Sequence, residues 1–189
     1  QYALQPEGAP EPEVYDGEIL VPFAVESSLS GVQKRVGNDT VLWYQRTFEV
    51  PRNWSEGKLL LHFGAVDWRS EVWINGIMVG SHEGGYDAFS FDIAPYLNSK
   101  GSQEVVVKVW DPTSDGPQPR GKQVNNPRGI WYTPVTGIWQ TVWLEPVEKT
   151  FIADLKVTPD IDRNRMAVAA EICGDSEGTI VKVVAKENG

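Results

Sequence analysis

The sequence predicts an all-β protein. Short runs rich in Val, Leu, Ile and aromatic residues recur along the chain, and the Pro, Gly, Asn and Asp residues between them are typical of turns. The strongest signal is Asn75-Gly76, which joins two apolar runs at residues 72–74 and 77–79 and tolerates the positive φ angles of a type I′ turn. No helix of ordinary length fits between residues 67 and 97. These observations predict β-strands joined by tight turns.

Composition restricts the classes of partner. At 189 residues, with 41% hydrophobic content and eight Trp, the chain has room and apolar surface for one complete domain and part of another. A formal net charge of −9, without a basic stripe, argues against nucleic acid and anionic membranes, both of which attract Lys and Arg. A neutral sugar meets no such penalty, so carbohydrate is a compatible ligand class.

Cysteine and histidine usage predicts no metal, cofactor or disulfide. Cys173 is the single cysteine, and His62 and His82 lack clustered acids or thiols. No apolar run approaches the roughly 20 residues of a transmembrane helix. The start at Gln1, without a charged and apolar leader, is typical of a processed or trimmed chain. The compartment stays open, with a periplasmic or secreted location favoured over the cytoplasm.

The first half of the chain predicts a leader followed by strands. Residues 1–18 are rich in Pro and Gly and predict an extended leader without a regular element, followed by order from about residue 19 and a polar loop at residues 26–32. A short capped turn is expected at residues 92–97, because Pro95 cannot continue a β-ladder. Besides the hairpin, strands are predicted at residues 41–50, 58–63, 104–110 and 137–147.

The long connection at residues 111–134 is rich in Pro, Gly, Asn and Arg and contains no clear element. A loop of this length inside a compact domain is usually functional or mobile. It is therefore the first place to look for a binding site.

After Pro146 the amino-acid composition of the sequence changes. Aromatic residues become rare, and three β-runs follow at residues 151–158, 166–173 and 179–186, with a turn predicted at residues 174–178. Three strands cannot close a sandwich of about seven. We therefore expect a second all-β domain that begins near residue 148 and is cut off.

An ordered series of stretches resembles the non-catalytic amino-terminal region of glycoside hydrolase family 2, the family of β-galactosidases, β-glucuronidases and β-mannosidases. The series covers about residues 19–147. Its members are Val21-Pro22-Phe23 with Glu26-Ser27, Trp43-Tyr44-Gln45-Arg46-Thr47-Phe48, His62-Phe63-Gly64-Ala65-Val66-Asp67, Val72-Trp73-Ile74-Asn75-Gly76, His82-Glu83-Gly84-Gly85-Tyr86-Asp87-Ala88-Phe89 and Gly137-Ile138-Trp139-Gln140.

The resemblance implies a galactose-binding-like jelly-roll β-sandwich over residues 19–147 and a truncated immunoglobulin-like β-sandwich over residues 148–189. It also implies that both catalytic carboxylates lie on a downstream (β/α)8 barrel outside this chain, so no catalytic residue is assigned here. The parent would be a retaining β-glycosidase, with the barrel as the partner of this region and a homo-oligomer possible through the parent enzyme.

In this family the loop before the strand at Gly137 often reaches the rim of the barrel's active site. Galactosidase-like and glucuronidase-like members carry an Asp there, whereas this chain has residues 128–134, RGIWYTP, and its nearest upstream acids are Asp115 and Asp111. Aromatic rings can stack on a sugar face, and polar side chains can bond its hydroxyls. The candidate sugar-binding residues are Arg120, Lys122, Gln123, Asn125, Arg128, Trp131 and Tyr132. Packing of Trp131 and Tyr132 against the barrel or the sandwich is the favoured alternative.

Other polar residues are expected to be structural. His82 and Glu83 are expected to bond the backbone of the Gly84-Gly85 turn, and His62 to be a satisfied core histidine. Asp67 and Arg69 are expected to form an ion pair, with a ligand-facing Asp67 as the alternative.

Two functions from different classes remain. The first is a non-catalytic accessory domain that supports and shapes the substrate entrance of the barrel. The second is an independent carbohydrate-binding module that grips polysaccharide through its aromatic residues. A third and weaker hypothesis is a β-sandwich that binds other proteins and no sugar.

Overall fold

A computed structural model describes residues 1–54, 57–175 and 177–186, and within them the regular structure consists of strands and short 3₁₀ turns. The predicted all-β class is confirmed. The turns are Ser28–Ser30, Arg52–Trp54 and Ala94–Tyr96. The strands are β1 (Tyr2–Pro6), β2 (Thr40–Phe48), β3 (Lys58–Phe63), β4 (Val66–Asp67), β5 (Arg69–Ile74), β6 (Ile77–Glu83), β7 (Phe89–Asp92), β8 (Gln103–Trp110), β9 (Gly137–Ile138), β10 (Val142–Val147), β11 (Phe151–Asp160) and β12 (Arg165–Cys173).

Two antiparallel sheets enclose the main core. The larger sheet has the strand order β1-β2-β8-β5-β6, and the smaller has the order β10-β3-β7. Because side chains alternate across a strand, Leu42 and Tyr44 of β2 enter the same buried cluster as Leu61 and Phe63 of β3. Full burial of each Leu or Phe side chain contributes about 1.5–3 kcal/mol. The paired sheets form the predicted β-sandwich.

The predicted hairpin is confirmed as β5–β6. Asn75 and Gly76 have φ angles of 50° and 78°, the left-handed conformation that a type I′ turn needs. The Asn75 amide also donates to the Tyr96 carbonyl at 2.9 Å and to Gln103 Oε1 at 2.8 Å, and its Oδ1 accepts from the Glu104 backbone N–H at 2.9 Å. This turn residue therefore also ties the hairpin to the 3₁₀ turn at residues 94–96 and to β8.

The prediction that residues 1–18 lack a regular element is wrong. Residues 2–6 form β1, which pairs antiparallel with β2, and both Tyr2 and Ala3 are buried. The Tyr2 backbone also exchanges hydrogen bonds with residues 16 and 17. Pro6 is compatible with β1 because this strand is at the edge of the sheet, where a missing N–H breaks no ladder.

The strand predicted at residues 137–147 is divided in two. β9 pairs with β4, whereas β10 pairs with β3 in the smaller sheet. Between them the Trp139 N–H donates to the Ala65 carbonyl at 3.3 Å, and the Thr141 carbonyl accepts from the Gly64 N–H at 2.9 Å. The Trp139 indole donates to the Gly85 carbonyl at 2.7 Å. Residues 139–141 thus connect two different strand pairings, which an alternating sequence pattern does not reveal.

The carboxy-terminal runs are only partly strands. β11 and β12 form an antiparallel hairpin with largely exposed side chains, whereas residues 179–186 are not a strand, because no described strand pairs with their backbone. Ser176 of the predicted turn lies outside the described residues. Residues 187–189, at the end of the predicted second domain, lie outside them as well. The domain boundary near residue 148 stays a prediction. Over the described ranges, no helix has the length and apolar character needed to cross a bilayer.

Candidate functional site

The loop from Asp111 to Thr136 joins β8 to β9 and is ordered by its own backbone. Lys122, Val124 and Tyr132 form a short ladder, in which the Tyr132 N–H donates to the Lys122 carbonyl at 2.8 Å and the Val124 N–H donates to the Tyr132 carbonyl at 3.1 Å. The prediction of a long irregular loop is confirmed. The ladder folds the loop back on itself and places residues 123 and 132 side by side.

Three acidic side chains anchor this loop to the sandwich. Asp111 accepts hydrogen bonds from the Thr113 N–H at 2.7 Å and from the Thr136 hydroxyl at 3.2 Å. Glu26 Oε2 accepts from the Thr136 N–H at 3.0 Å. Asp67 Oδ2 accepts from Gln123 Nε2 at 3.0 Å. Both ends and the middle of the loop are therefore fixed by carboxylates at one end of the fold.

Burial raises the pKa values of these three carboxyl groups. Desolvation, with the nearby charge of Asp111 as a second cause, raises the pKa of Asp67 to about 7. Burial also raises the pKa of Glu26 to about 7, against the opposing effect of its hydrogen bonds with Thr136. The pKa of Asp111 is raised as well, again chiefly by desolvation. Glu26 and Asp67, with pKa values raised to about 7, therefore lose their protons at a higher pH than ordinary carboxyls do.

Several predicted site residues meet on the outside of the loop. Asn125, Arg128 and Trp131 line one pocket of about 460 Å³, together with Ser114 and Asp115. The side chain of Trp131 is 42% exposed. The pocket combines one aromatic surface with amide, guanidinium and carboxylate groups, which are the kinds of group that bind sugar hydroxyls.

Tyr132 and Lys122 lie beside each other on the same loop. Tyr132 is 64% exposed, and Lys122 Nζ is 5.9 Å from the centre of its ring. A cation at this distance from an aromatic face is attracted by the ring quadrupole. The two side chains thus present a joint surface of mixed apolar and cationic character.

Of the predicted residues, Gln123 and Arg120 are partly buried, and the pocket-lining Asn125 already bonds a neighbouring side chain. Gln123 Nε2 donates to Asp67, and Gln123 Oε1 accepts from the Val135 N–H at 2.6 Å, so its amide already has two protein partners. Asn125 Nδ2 donates to Asp115 Oδ2 at 3.0 Å. Arg120 is half-buried, and its Nε is buried without a hydrogen-bond partner. Sugar contacts by all seven residues stay a prediction.

The expected Asp67–Arg69 ion pair is wrong. Arg69 instead lies 3.8 Å from Glu7 and stacks on the Trp110 ring at 4.7 Å, while Asp67 contacts Gln123. Residues two apart on one strand point to the same face, so Asp67 and Arg69 would be neighbours on a continuous strand. Asp67 ends β4 and Arg69 begins β5, however, and Trp68 between them interrupts this alternation. The sequence signal that could have found the acidic cluster is the pair of Asp residues at the ends of buried strands.

The two histidines are held by neighbouring side chains. Among the described contacts, neither His82 nor Glu83 bonds the Gly84-Gly85 turn; the Gly84 N–H donates to the Trp68 carbonyl, and the His82 ring stacks on Phe89 at 4.0 Å. The expected backbone bonds are therefore wrong, because the turn finds its partner on the neighbouring segment.

His62 is satisfied but only partly buried. Its Nε2 lies 2.9 Å from Glu145 Oε2, and its ring stacks on Trp143 at 4.7 Å. The prediction that His62 has protein partners is confirmed, although it lies on the outer face of β3 rather than in the core.

Comparison with known proteins gives one family. Residues 11–144 match the model described as "Glycosyl hydrolases family 2, sugar binding domain". The chain is 27% identical over 186 residues to a β-glucuronidase of Paenibacillus borealis, covering 89% of this chain and 31% of the relative. It is 30% identical over 155 residues to a β-galactosidase of Thermoanaerobacter pseudethanolicus, covering 79% of this chain and 20% of the relative. The chain thus spans less than a third of the length of these relatives.

Solved structures show the same fold. A β-glycosidase from Bacteroides vulgatus superposes with a TM-score of 0.54 at 27% identity, over 74% of this chain and 17% of that one. A Ruminococcus gnavus β-glucuronidase superposes with a TM-score of 0.64 at 23% identity, over 82% of this chain and 27% of that one. With a family match over most of its length, the chain belongs to glycosyl hydrolase family 2, and its residues 11–144 match the sugar binding domain of that family.

Proposed function

We propose that this chain is the non-catalytic amino-terminal region of a retaining β-glycosidase, and that its loop at residues 111–136 shapes the substrate entrance of a separate catalytic barrel. The observation that carries the proposal is the construction of that loop. It is fixed from beneath by Glu26, Asp67 and Asp111, yet it presents Trp131 and Tyr132 outward. A rigid support below exposed aromatic rings suits a surface that positions a substrate or packs on a neighbouring domain.

The acidic cluster supports an anchoring role rather than a catalytic one. A retaining glycosidase needs one carboxyl as acid and one as nucleophile, both able to reach the glycosidic bond. Asp67 and Asp111 are only 3% and 2% exposed, and their oxygens already accept hydrogen bonds from the loop. Raised pKa values here follow from burial of the anchor, and the reacting carboxylates belong to the barrel.

Two measurements test the proposal. The 189-residue chain is expected to release no aryl product from aryl β-glucuronides, β-galactosides or β-mannosides, and turnover abolished by a single carboxylate substitution would refute it. In the longer enzyme, Trp131→Ala is expected to raise KM or lower kcat because the ring borders the entrance. Trp143→Ala is the matched control, since Trp143 on β10 is 44% exposed and lies outside the loop. Equal effects of the two substitutions would contradict the role of the loop.

An independent carbohydrate-binding module is the second candidate, and the exposure of Trp131 and Tyr132 is the observation that favours it. Calorimetric titration of the chain with oligosaccharides separates the two functions. A module loses its sugar affinity in Trp131→Ala. An accessory loop leaves any affinity of the isolated chain unchanged by that substitution.

A further inference from the structure

The turn of the β5–β6 hairpin, Asn75-Gly76, is a pair of residues that can react without an enzyme. In an Asn-Gly pair the backbone nitrogen of Gly attacks the side-chain Cγ of Asn, and Gly permits this approach because it has no Cβ. The N–Cγ bond forms, the Cγ–Nδ2 bond breaks, and ammonia leaves with the proton of the Gly N–H. The product is a succinimide ring that joins Asn75 to the nitrogen of Gly76.

Water opens such a ring in one of two ways. Hydrolysis of the N–Cγ bond gives Asp in the original backbone. Hydrolysis of the bond between the nitrogen and the backbone carbonyl carbon gives isoaspartate, whose backbone runs through Cγ. Each product carries a carboxylate in place of the amide, and no oxidant or reductant takes part. The reaction therefore needs only water and an Asn side chain that can move towards the next backbone nitrogen.

In the folded chain the side chain of Asn75 is held away from this reaction. Its Nδ2 donates to the Tyr96 carbonyl at 2.9 Å and to Gln103 Oε1 at 2.8 Å, and its Oδ1 accepts from the Glu104 N–H at 2.9 Å. Ring closure moves Cγ towards the Gly76 nitrogen and expels Nδ2, so these hydrogen bonds have to break. Gly76 itself is exposed, and no described atom lies within 4 Å of the position that a Cβ would take there. The hydrogen bonds of Asn75, rather than crowding at Gly76, thus protect the pair.

The main acceptor for the Asn75 amide is fixed as well. Gln103 is 4% exposed, and its Oε1 also accepts from the Asn98 N–H at 2.7 Å. Its Nε2 donates to the carbonyls of Asn98 at 3.3 Å and Gly101 at 3.0 Å, so the amide cannot turn over without losing its other partners. A carboxylate at position 75 would face two acceptors, Gln103 Oε1 and the Tyr96 carbonyl, and donate to neither. The products of the reaction are therefore incompatible with the closed arrangement.

We propose that Asn75 is a site of spontaneous deamidation, that the closed hairpin keeps the reaction slow, and that the product releases the hairpin turn from β8 and from the 3₁₀ turn at residues 94–96. Because both products lack the two donors of the amide, the closed arrangement does not form again. The site is independent of the entrance loop. Arg69 pairs with Trp110 and Ile74 with Val105, so Asn75 lies at the opposite end of β8 from that loop.

The first test compares the folded and the unfolded chain. The 189-residue chain is incubated in mildly alkaline buffer with and without urea, and peptide mass spectrometry measures Asp and isoaspartate at position 75. Conversion is expected to be at least about a hundredfold slower in the folded chain, because three hydrogen bonds must break first. Gly76→Ala is expected to slow conversion in urea, since a methyl group crowds the attacking nitrogen. Equal rates with and without urea would overturn the proposal, and so would an unfolded chain that is not converted.

A pair of matched variants separates local opening of the hairpin from unfolding of the whole chain. Gln103→Met removes one acceptor of the Asn75 amide, and it is expected to speed conversion of the folded chain about tenfold without changing the rate in urea. Gln118→Met is the control, because Gln118 is also buried and donates to the Thr113 carbonyl, but it lies in the loop after β8. Equal acceleration by the two substitutions would assign the reaction to global unfolding and overturn the protective role of the hydrogen bonds.

The consequence of the modification is tested with Asn75→Asp, which has the structure of one product. This variant is expected to unfold at lower urea concentration and to show faster amide hydrogen exchange at residues 74–78 and 103–105. Asn164→Asp is the matched control. Asn164 also has a left-handed φ of 49°, lies exposed in the turn between β11 and β12, and makes no side-chain hydrogen bond among the described residues. An Asn75→Asp variant with the stability and exchange of the original chain would overturn the proposed release of the hairpin.

Discussion

Replacing Asp67 by Asn should make the protein more stable at pH 8 while leaving its stability at pH 4.5 almost unchanged. Asp67 is 3% exposed, and burial raises the pKa of its carboxyl from 3.8 to about 7. An Asn can keep the hydrogen bond from Gln123 through its own Oδ1 but never ionises. The substitution therefore removes the cost of burying a negative charge and little else.

The sign follows from proton linkage. Between pH 4 and pH 7 the folded protein keeps a proton on Asp67 that the unfolded chain has already lost, so stability falls as pH rises through this window. A pKa raised by about 3 units corresponds to about 4 kcal/mol at pH values above the folded pKa. Because Glu26 and Asp111 share the same buried region and can shift their own protons, we expect a net gain of about 2 kcal/mol for the Asn variant at pH 8.

Urea unfolding at pH 4.5, 6 and 8 measures the effect. Asp154→Asn is the control, because Asp154 lies on the exposed face of β11 and its loss should change stability by less than about 0.5 kcal/mol at any pH. The reasoning would be refuted if Asp67→Asn destabilised the protein equally at pH 4.5 and pH 8, since that result would show an anchor that depends on the ionised carboxylate.

Three further substitutions test the packing around the site by urea unfolding. Gly85→Ala would place a Cβ 2.5 Å from Asp67 Oδ1, so a loss of about 2 kcal/mol or more is expected; an unchanged midpoint would show that the two segments are not in close contact. Tyr44→Phe removes the hydroxyl that accepts from the buried Ile138 N–H at 3.1 Å, and a loss of about 1–3 kcal/mol is expected. An unchanged free energy of unfolding would contradict the role of this hydrogen bond between β2 and β9. Asn75→Ala removes three side-chain hydrogen bonds and a residue suited to φ of 50°, and should cost about 2–4 kcal/mol; an effect below about 0.5 kcal/mol would show that the turn alone sets the hairpin.

The sequence determined the elements whose signal is local. Asn75-Gly76 specifies its hairpin because the φ angles of a type I′ turn are a property of two adjacent residues. Alternating or continuous apolar runs predicted β2, β3 and β8, since burial on one or both faces of a strand leaves a short-range pattern. The irregular loop was predictable for the same reason, because its Pro and Gly content excludes regular structure locally.

Tertiary structure decided the features that depend on a distant partner. Residues 2–6 become a strand only because β2 offers an open edge, and the run before Val147 divides because β9 and β10 pair with different strands. Residues 179–186 have strand composition, but no strand in the described part of the chain pairs with them. In each case backbone hydrogen bonds, which composition does not specify, make the choice.

The candidate site likewise combines residues that the sequence identifies with features that depend on the fold. Trp131 and Arg128 could be chosen from the sequence, because an exposed loop with aromatic and basic residues is visible in the chain itself. The cluster of Glu26, Asp67 and Asp111 could not, since three acids separated along the chain acquire raised pKa values only when folding buries them under one loop. A second pocket, lined by Glu7, Asn38, Trp68 and residues of the loop after β8, likewise exists only where four distant segments meet. The sequence by itself determined the family and the loop, and three-dimensional packing decided what holds that loop in place.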